Sequence, residues 1–365
     1  MTIFNSSVLI TYLLWLAIMI IAWKKLLASK RPNRSYSPKL SYSVLVPVRN
    51  ELDHIEITLK SILSNDFPEM SYEIIVINDH SEDGNYQILE QLGENVRLLH
   101  LEEGEGKKDA LALGIDNASG DVIITTDADC LVSTQWLSSI SGYFETEKVH
   151  LLSGGVGFKP VYSLFDKLQA IEFSSLIGAG ASAIYLGIPN MCNGANLAFL
   201  KSSYYAAGGY TDNRHIASGD DEFLMHKISK LYSTGIYFNT DPDGVVYTRP
   251  QKNLGDFTEQ RKRWASKWRY YKSWKKSLMP VFIGLSNLSV ITGIWLVASG
   301  NFMILSLLLV KTMLELIYLG SVLTFLKTRV SWIYFALVQI IYSFYVVYFA
   351  VVTNLVGYKW KNRSY

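Results

Sequence analysis

The sequence predicts an α/β domain with a mostly parallel sheet, flanked by apolar segments long enough to cross a membrane. Short β-branched runs alternate with helix-like stretches early in the chain, and long apolar runs stand at both ends. Apolar residues make up 49% of the 365 residues and charged residues only 18%, below the roughly 25% of soluble chains. With a mean hydropathy of +0.16, this composition argues against a disordered chain and an ordinary soluble enzyme.

The charge balance and the cysteine content narrow the class further. The 34 basic and 32 acidic residues give a net charge of +2, which does not indicate a nucleic-acid partner. Two cysteines are too few for a disulfide framework and are typical of a reducing compartment. We therefore expect a membrane protein with a sizeable cytosolic part.

Residues 1–25 predict an N-terminal transmembrane anchor, because residues 3–23 form an apolar run without a charge. A cleaved signal peptide is the alternative. However, Lys24 and Lys25 follow the apolar run instead of preceding it, and no small-residue cleavage site is evident. Basic residues at this position place the following segment in the cytosol.

Residues 278–356 predict about three C-terminal transmembrane helices, over residues 278–300, 302–326 and 330–356. Lys311 and Glu315 lie four residues apart, on one face of the second helix. We interpret them as a structural ion pair, with a role in an acceptor or product path as the alternative. With one span before the cytosolic segment and three after it, both chain termini would lie outside the cell. The basic residues of the C-terminal tail, at 359–363, instead favour a cytosolic C-terminus.

Residues 39–250 predict the sheet domain. The β-branched runs cover residues 43–48, 73–78, 96–101 and 121–126. The first two begin about 30 residues apart, the length of one βαβ unit. Such crossovers give parallel strands that bind ligands at their carboxyl ends.

Acidic residues follow several of these strands: Glu51, Asp79, Asp127 and Asp129. A single one is commonly a turn-former, but several at successive strand ends meet at one edge of the sheet and predict a site there. Neither G-x-G-x-x-G nor G-x-x-x-x-G-K-[ST] is present, which argues against a dinucleotide oxidoreductase and a P-loop NTPase.

Six motifs, in order, resemble those of family 2 glycosyltransferases. They are SVLVPVRNE (43–51), VINDHSEDG (76–84), GKKDAL (106–111), TTDADC (125–130), GDDEF (219–223) and QRKRW (260–264). Each is weak alone, whereas the ordered set is specific. The resemblance covers roughly residues 40–275 and implies an inverting enzyme with the GT-A nucleotide-sugar fold. The membrane segments resemble those of polysaccharide synthases and lipid glucosyltransferases.

The resemblance implies a binding site for a nucleoside-diphosphate sugar. Pro47, Glu51 and Asp79 are similar to residues on the nucleoside side of the family's donor site, and carboxylates accept hydrogen bonds from a base or a ribose. Lys107 takes the position of a lysine that approaches the diphosphate, and its neighbour Lys108 is the alternative contact.

Asp127 and Asp129 predict a divalent metal site. Alternate residues of an extended segment point the same way, and carboxylate oxygens suit Mg²⁺ or Mn²⁺. By resemblance Asp129 is the direct ligand, and Asp127 lies nearer the ribose or the metal.

Asp221 takes the position of the general base in a segment that resembles the family's Thr-Glu-Asp motif. A carboxylate with an ordinary pKa of about 3.9 accepts the proton during attack, as the hydroxyl becomes acidic. Gly219 and Asp220 replace the usual Thr and Glu, so Asp220 stays the alternative base.

The resemblance also implies contacts with the acceptor. Residues expected on this side are Asn193, Gly194, Asn196, Asp220, Gln260 and Trp264. An ordinary turn is the alternative for residues 193–196. In the QxxRW motif, Arg263 is expected near the diphosphate and Trp264 beside the acceptor channel.

Residues 256–276 predict a basic amphipathic helix in the membrane interface. Its aromatic stripe consists of Phe257, Trp264, Trp268, Tyr271 and Trp274, surrounded by the basic residues Arg261, Lys262, Arg263, Lys267, Arg269, Lys272, Lys275 and Lys276. The alternative to a catalytic role of this helix is a purely electrostatic attachment to the membrane. The helix can also have both roles.

We therefore expect a multi-pass glycosyltransferase of the plasma membrane with a cytosolic catalytic domain. A UDP-sugar is the favoured donor, GDP stays open, and the acceptor is a cell-envelope glycan or lipid. Processive synthesis and single transfer to a lipid are both open. The competing functions are a non-catalytic membrane binding module and a nucleotidyl- or phosphotransferase.

Overall fold

The computed structural model describes residues 1–84, 96–146, 148–213, 216, 218–267, 274–352, 359–360 and 363–364. The chain divides into two compact units. The first, here called the sheet unit, comprises Trp23–Pro160 and Ala179–Arg249. The second, here called the helical unit, comprises Met1–Ala22, Val161–Gly178 and Pro250–Tyr365.

The sheet unit contains nine strands, in the part of it that the structure describes. They are β1 (Tyr42–Val48), β2 (Tyr72–Asn78), β3 (Val96–His100), β4 (Val122–Thr125), β5 (Leu151–Ser153), β6 (Val156–Phe158), β7 (Leu197–Leu200), β8 (Ile236–Phe238) and β9 (Val246–Thr248). Seven form one sheet in the order β3-β2-β1-β4-β7-β5-β8. Strands β3, β2, β1 and β4 are parallel, whereas β7 runs antiparallel to both neighbours. The prediction of a mostly parallel sheet is confirmed, and the four predicted strands match β1 to β4.

Burial explains why the predicted strands read as continuous apolar runs. Val44, Leu45 and Val46 of β1 are fully buried, as are Ile75 and Val76 of β2. Central strands of a parallel sheet are covered on both faces, so they lack the alternation of a half-exposed strand.

Five α-helices lie wholly within the described part of the sheet unit: α2 (Leu52–Leu63), α3 (Lys107–Asn117), α4 (Trp136–Thr146), α6 (Lys201–Ala206) and α7 (Asp220–Leu231). In α2, Ile55, Leu59 and Ile62 are fully buried, which is the helical spacing of a core face. Gly114 lets α3 lie close to β2, because a Cβ there would come within 2.9 Å of Ile77 Cδ1.

The longest helices are α1 (Thr2–Ala28), α5 (Leu164–Tyr185), α9 (Trp274–Ala298), α10 (Phe302–Phe325) and α11 (Trp332–Val352), and a shorter one is α8 (Leu254–Ser266). Within the described part of the chain, three segments are long and apolar enough to cross a membrane: α1, residues 278–298 of α9, and α10. Helix α11 gives a fourth if its two parts, which meet at 44°, form one span. The expectation of one N-terminal and further C-terminal apolar helices is confirmed at this level.

The core of the helical unit contains a small apolar cluster formed by Leu9, Val290, Leu296 and Ile304. A buried polar cluster joins three helices of this unit. Lys311 Nζ lies 2.8 Å from Glu315 Oε2 and 3.0 Å from Gln339 Oε1, and the Tyr12 hydroxyl donates to Glu315 at 2.6 Å. The charges are thus paired within the unit, which supports the interpretation as a structural ion pair.

The predicted interfacial helix over residues 256–276 corresponds in its first half to α8. Asn253 caps this helix by accepting a hydrogen bond from the Asp256 amide at 2.9 Å. Trp268 and Tyr271, with Arg269 and Lys272, lie outside the described residues, and so do the side chains of residues 274–277. The full aromatic stripe therefore stays a prediction.

Candidate active site

Asp79 forms one side of the site, at the end of β2. It is only 3% exposed, and its Oδ2 accepts a hydrogen bond from the Gly106 amide at 3.1 Å. Arg49 Nη1 donates to the Asp79 carbonyl at 3.0 Å and lies 3.8 Å from its Oδ1. The end of β2 is thereby joined to the loop that leads into α3.

Pro47 and Glu51 lie at the same edge. Pro47 is half-buried near the end of β1, and Glu51 directly precedes α2. The loops after β1 and β2 are held together because Asn50 Oδ1 accepts the amide of Glu82 at 2.8 Å. Both predicted nucleoside contacts therefore stand beside the loop that carries Asp79.

Lys107, the first residue of α3, joins two acidic segments of the site. Its Nζ lies 2.6 Å from Asp127 Oδ1 and 3.4 Å from Asp220 Oδ2. Burial by itself would lower the pKa of Lys107, but the Asp127 and Asp220 carboxylates raise it above its ordinary value. The side chain is therefore a permanent cation between the two carboxylates.

Lys108 is directed elsewhere. Its Nζ donates to the Ile216 carbonyl at 2.8 Å and lies 5.3 Å from the centre of the Phe223 ring. Of the two candidate lysines, Lys107 is thus the one that meets the acidic residues of the site.

Asp127, Asp129 and Cys130 form a cluster that could hold a metal ion, with one ligand atom of each lying within 4.8 Å of the others. Thr248 of β9 donates to Asp129 Oδ2 at 2.8 Å. Burial, together with the charges of Asp129 and Asp127, raises the pKa of the Cys130 thiol well above its ordinary value. Carboxylate oxygens, rather than a thiol, are the ligands suited to a hard cation.

Asp221 stands in the first turn of α7 and faces the loop around Gly194. Its Oδ2 accepts the Gly194 amide at 3.0 Å, and its Oδ1 accepts the Glu222 amide at 2.7 Å. A Cβ added to Gly194 would lie 2.9 Å from Asp220 Oδ2 and 3.2 Å from Lys107 Nζ. The glycine thus allows the loop to approach both acidic residues and the lysine.

The two asparagines beside Gly194 differ in their surroundings. Asn193 is half-buried, and its Oδ1 accepts the Ala195 amide at 3.0 Å. Asn196 is 2% exposed, and its Nδ2 donates to the carbonyls of Gly155 and Gly244, both at 2.8 Å. Its Oδ1 accepts the indole N–H of Trp136 at 3.1 Å. The expected acceptor contact of Asn196 therefore does not fit, because this side chain is committed to the core and holds the loop in place.

The sheet unit brings predicted residues of four segments together: Lys107 meets Asp127 and Asp220, and Asp221 accepts the Gly194 amide. Asp129 has a ligand atom within 4.8 Å of one of Asp127, and Asp79 is bonded to the amide of Gly106, the residue before Lys107. Gln260, Arg263 and Trp264 belong to α8 of the helical unit. Their expected positions beside the diphosphate and the acceptor stay predictions.

Two contacts in this site were missed by sequence reasoning. Arg49 belongs to the first motif, but the sequence does not indicate that it contacts Asp79, which lies 30 residues further along the chain. Thr248 lies in a separate small sheet of β6 and β9, and only its place directly at the end of a short apolar strand could have indicated it.

Residues 43–203 match the model of a family described as Glycosyl transferase family 2. Over these residues the chain has a domain of the family 2 glycosyltransferase type. The matched range runs from β1 into α6 and includes Asp79, Lys107, Asp127 and Gly194. The resemblance inferred from the sequence motifs is thereby confirmed.

Curated relatives of this domain are poly-beta-1,6-N-acetyl-D-glucosamine synthases. The protein of Staphylococcus aureus (strain MSSA476) is 28% identical over 244 residues, which cover 65% of this chain and 57% of the relative. The protein of Staphylococcus epidermidis is 28% identical over 230 residues, covering 61% and 53% respectively. The alignments thus span little more than half the length of these relatives.

A solved structure shares the fold. A mannosyltransferase from Pyrobaculum calidifontis in complex with GDP-Man and Mn²⁺ has a TM-score of 0.57 and 18% sequence identity, covering 97% of this chain and 96% of that chain. At this identity the likeness concerns the fold alone. The GT-A arrangement expected for the glycosyltransferase domain is confirmed.

Proposed function

We propose that the protein is a membrane-bound inverting glycosyltransferase that moves a sugar from a nucleoside-diphosphate sugar to a cell-envelope glycan or lipid. One observation carries this proposal: the ammonium of Lys107 lies 2.6 Å from Asp127 and 3.4 Å from Asp220, with Asp221 next in the chain. A cation for phosphates, carboxylates for a metal and a candidate base thus stand together in a family 2 domain.

The donor is held by residues at the carboxyl ends of the strands. Asp79 and Glu51 accept hydrogen bonds from the nucleoside, beside Pro47, and Lys107 binds the diphosphate. Lys107 starts α3, so its cation and the helix N-terminus act on the same anion. Arg263 of the helical unit is proposed as a second cation for the diphosphate.

Asp127 and Asp129 are the residues that would hold Mg²⁺ or Mn²⁺. Their carboxylates supply the hard oxygen ligands that such a cation takes, and their ligand atoms lie within 4.8 Å of each other. When bound, a divalent cation neutralises charge on the leaving diphosphate.

Asp221 is proposed as the general base. The acceptor oxygen attacks the anomeric carbon from the face opposite the diphosphate, the bond from this carbon to the phosphate oxygen breaks, and its electron pair leaves with the diphosphate. The acceptor proton passes to Asp221 during attack. Each carboxylate oxygen has two lone pairs, so Asp221 can accept this proton while it keeps the Gly194 amide at 3.0 Å.

The acceptor side is proposed to involve Asn193, Gly194, Asp220, Gln260 and Trp264. The names of the curated relatives favour N-acetylglucosamine as the transferred sugar and a growing glycan as the acceptor. A UDP-sugar is the proposed donor, with a GDP-sugar as the alternative. Single transfer to a lipid is the alternative, and the size of the glycosylated product, measured by mass spectrometry, distinguishes the two.

The proposed location is the plasma membrane, with several spans and a cytosolic sheet unit. Helices α1 and α10 and residues 278–298 of α9 are long and apolar enough to span. Lys24 and Lys25 near the end of α1 favour a cytosolic position for the segment that follows.

The test uses full-length protein in lipid nanodiscs, incubated with Mn²⁺ or Mg²⁺ and a panel of labelled UDP- and GDP-sugars. We expect a nucleoside diphosphate and a glycosylated product with the inverted anomer. A nucleoside monophosphate and a sugar phosphate would instead identify a nucleotidyl- or phosphotransferase. Nucleotide binding without turnover would identify a binding module.

A further inference from the structure

Arg261 is a buried cation within the QRKRW segment of α8. From the helical pattern it was expected among the basic residues that surround the aromatic stripe, yet it is only 4% exposed. The burial is explained by an acidic partner on another helix, which the pattern of charges along α8 alone does not show. That partner is Glu172 of α5.

The ion pair between Arg261 and Glu172 connects three helices of the helical unit. The Arg261 Nε donates to Glu172 Oε1 at 3.2 Å, and its Nη2 donates to the other carboxylate oxygen. Tyr345 of α11 donates its hydroxyl proton to Glu172 Oε1 at 3.2 Å. A planar guanidinium with two bonds to one carboxylate has a fixed orientation, which a single point charge would not have.

The same guanidinium contacts both neighbours in the motif. Its Nη1 donates to Gln260 Oε1. Its central carbon lies 4.2 Å from the centre of the Trp264 ring, and Phe173 packs on this ring with a centroid distance of 5.7 Å. The rotamers of Gln260 and Trp264 therefore depend on the position of Arg261.

A buried ion pair is weak evidence for a stabilising role. Removing two charges from water costs about as much as their attraction returns, so apolar residues of similar size often serve stability equally well. Arg261 and Glu172 have side chains only 4% and 11% exposed, which makes this general argument applicable. A role in orientation accounts for the pair better than a role in stability.

We propose that Arg261 is a positioning residue for the acceptor side. It holds Gln260 and Trp264 in fixed orientations and ties them, through Glu172 and Tyr345, to α5 and the apolar helix α11. This inference rests on the proposed function, because Gln260 and Trp264 matter here as residues that meet the acceptor.

The test replaces the pair as a unit in full-length protein in nanodiscs. The double variant Arg261→Met with Glu172→Leu removes both charges without leaving one unpaired, so thermal stability is expected to change little. Tyr345→Phe removes one hydrogen bond of the network, and Arg261→Lys keeps the charge but loses the fork geometry. Lys262→Met is the matched control, since Lys262 pairs with Glu259 on the same helix at 2.8 Å.

Kinetics are measured with labelled UDP-N-acetylglucosamine and a short β-1,6-linked N-acetylglucosamine oligosaccharide as acceptor probe. In the double variant and in Arg261→Lys, kcat/KM for the acceptor should fall by about tenfold to a hundredfold, as expected for misplaced contacts. KM for the donor and donor hydrolysis in the absence of acceptor should stay within about twofold of wild type. Tyr345→Phe should show a smaller change of the same kind, and Lys262→Met none.

Wild-type acceptor kinetics in a folded double variant would overturn the proposal. So would an equal loss for donor and acceptor, because that result indicates a general structural effect. If the double variant does not fold, Arg261→Lys and Tyr345→Phe decide by the same criteria. Wild-type protein that turns over no nucleotide sugar contradicts the proposed function itself, and the positioning role falls with it.

Discussion

The ammonium nitrogen of Lys107 lies 2.6 Å from the Asp127 carboxylate, at the junction of the candidate metal site and the candidate base. The same nitrogen lies 3.4 Å from Asp220, which immediately precedes Asp221. One cation therefore links β4 to α7 across the carboxyl-end edge of the sheet. A bound metal competes with the Lys107 ammonium for Asp127, whereas a bound diphosphate is attracted by the same ammonium. Removing this charge should therefore change the affinities for the two ligands in opposite directions.

Lys107→Gln should weaken nucleotide-diphosphate binding and strengthen Mn²⁺ binding measured without nucleotide. The diphosphate loses a charge-assisted hydrogen bond of about 1.5–3 kcal/mol, or roughly 10- to 100-fold in affinity. Mn²⁺ no longer competes with the ammonium for Asp127. Isothermal titration with each ligand measures both effects, and equal weakening of both would refute the arrangement.

Lys108→Gln is the matched control for that experiment. It should lower thermal stability, because Lys108 donates to the Ile216 carbonyl inside the protein. It should leave Mn²⁺ affinity unchanged within about twofold, since the removed bond is a structural one. If Lys108→Gln changed the Mn²⁺ affinity as much as Lys107→Gln, the assignment of Lys107 alone to the metal and diphosphate site would be wrong.

Asp129→Asn should abolish the Mn²⁺-dependent part of nucleotide binding, because the metal loses a charged oxygen ligand. Thr248→Val removes only the hydroxyl that donates to Asp129 at 2.8 Å. We expect Thr248→Val to weaken Mn²⁺ binding by about threefold to tenfold, in line with one hydrogen bond that orients a ligand. Nucleotide titrations with and without Mn²⁺ measure both, and a normal Mn²⁺ response of Asp129→Asn would rule out its ligand role.

Gly194→Ala should lower kcat by about tenfold to a hundredfold while the protein stays folded. The added methyl group would lie 2.9 Å from Asp220 Oδ2 and 3.2 Å from Lys107 Nζ, so these two side-chain ends must shift away from their positions in the site. Gly284→Ala in α9 is the matched control, because its Cβ would meet open space. Transfer assays and thermal unfolding of both variants test this, and full activity of Gly194→Ala would show that the positions of the Asp220 carboxylate and the Lys107 ammonium do not limit turnover.

The strands and the acidic residues after them could be predicted because parallel strands bury both faces and end at one edge. Val44, Leu45 and Val46 carry this signal in the sequence, and Asp79 and Asp127 follow from the strand ends. The sequence does not specify which strands pair. The antiparallel insertion of β7 between β4 and β5 therefore could not be predicted from a run of four residues.

The choice between Lys107 and Lys108 also required coordinates. Neighbouring residues of a helix point about 100° apart, so a shift of one residue in the start of α3 would exchange their directions. For Arg261, the sequence indicates a basic surface, and only the proximity of Glu172 on α5 explains its burial. In both cases the missing information was a contact between segments far apart in the chain.

The most direct test of the account is the turnover of Asp221→Asn compared with Asp220→Asn, in nanodiscs with Mn²⁺ and the nucleotide sugar that the wild type uses. We predict that Asp221→Asn loses about 10²- to 10⁴-fold in kcat, the range of a general base, and still binds the nucleotide. Asp220→Asn, whose carboxylate faces Lys107 at 3.4 Å, should lose much less. Wild-type turnover of Asp221→Asn would show that this carboxylate does not take the acceptor proton.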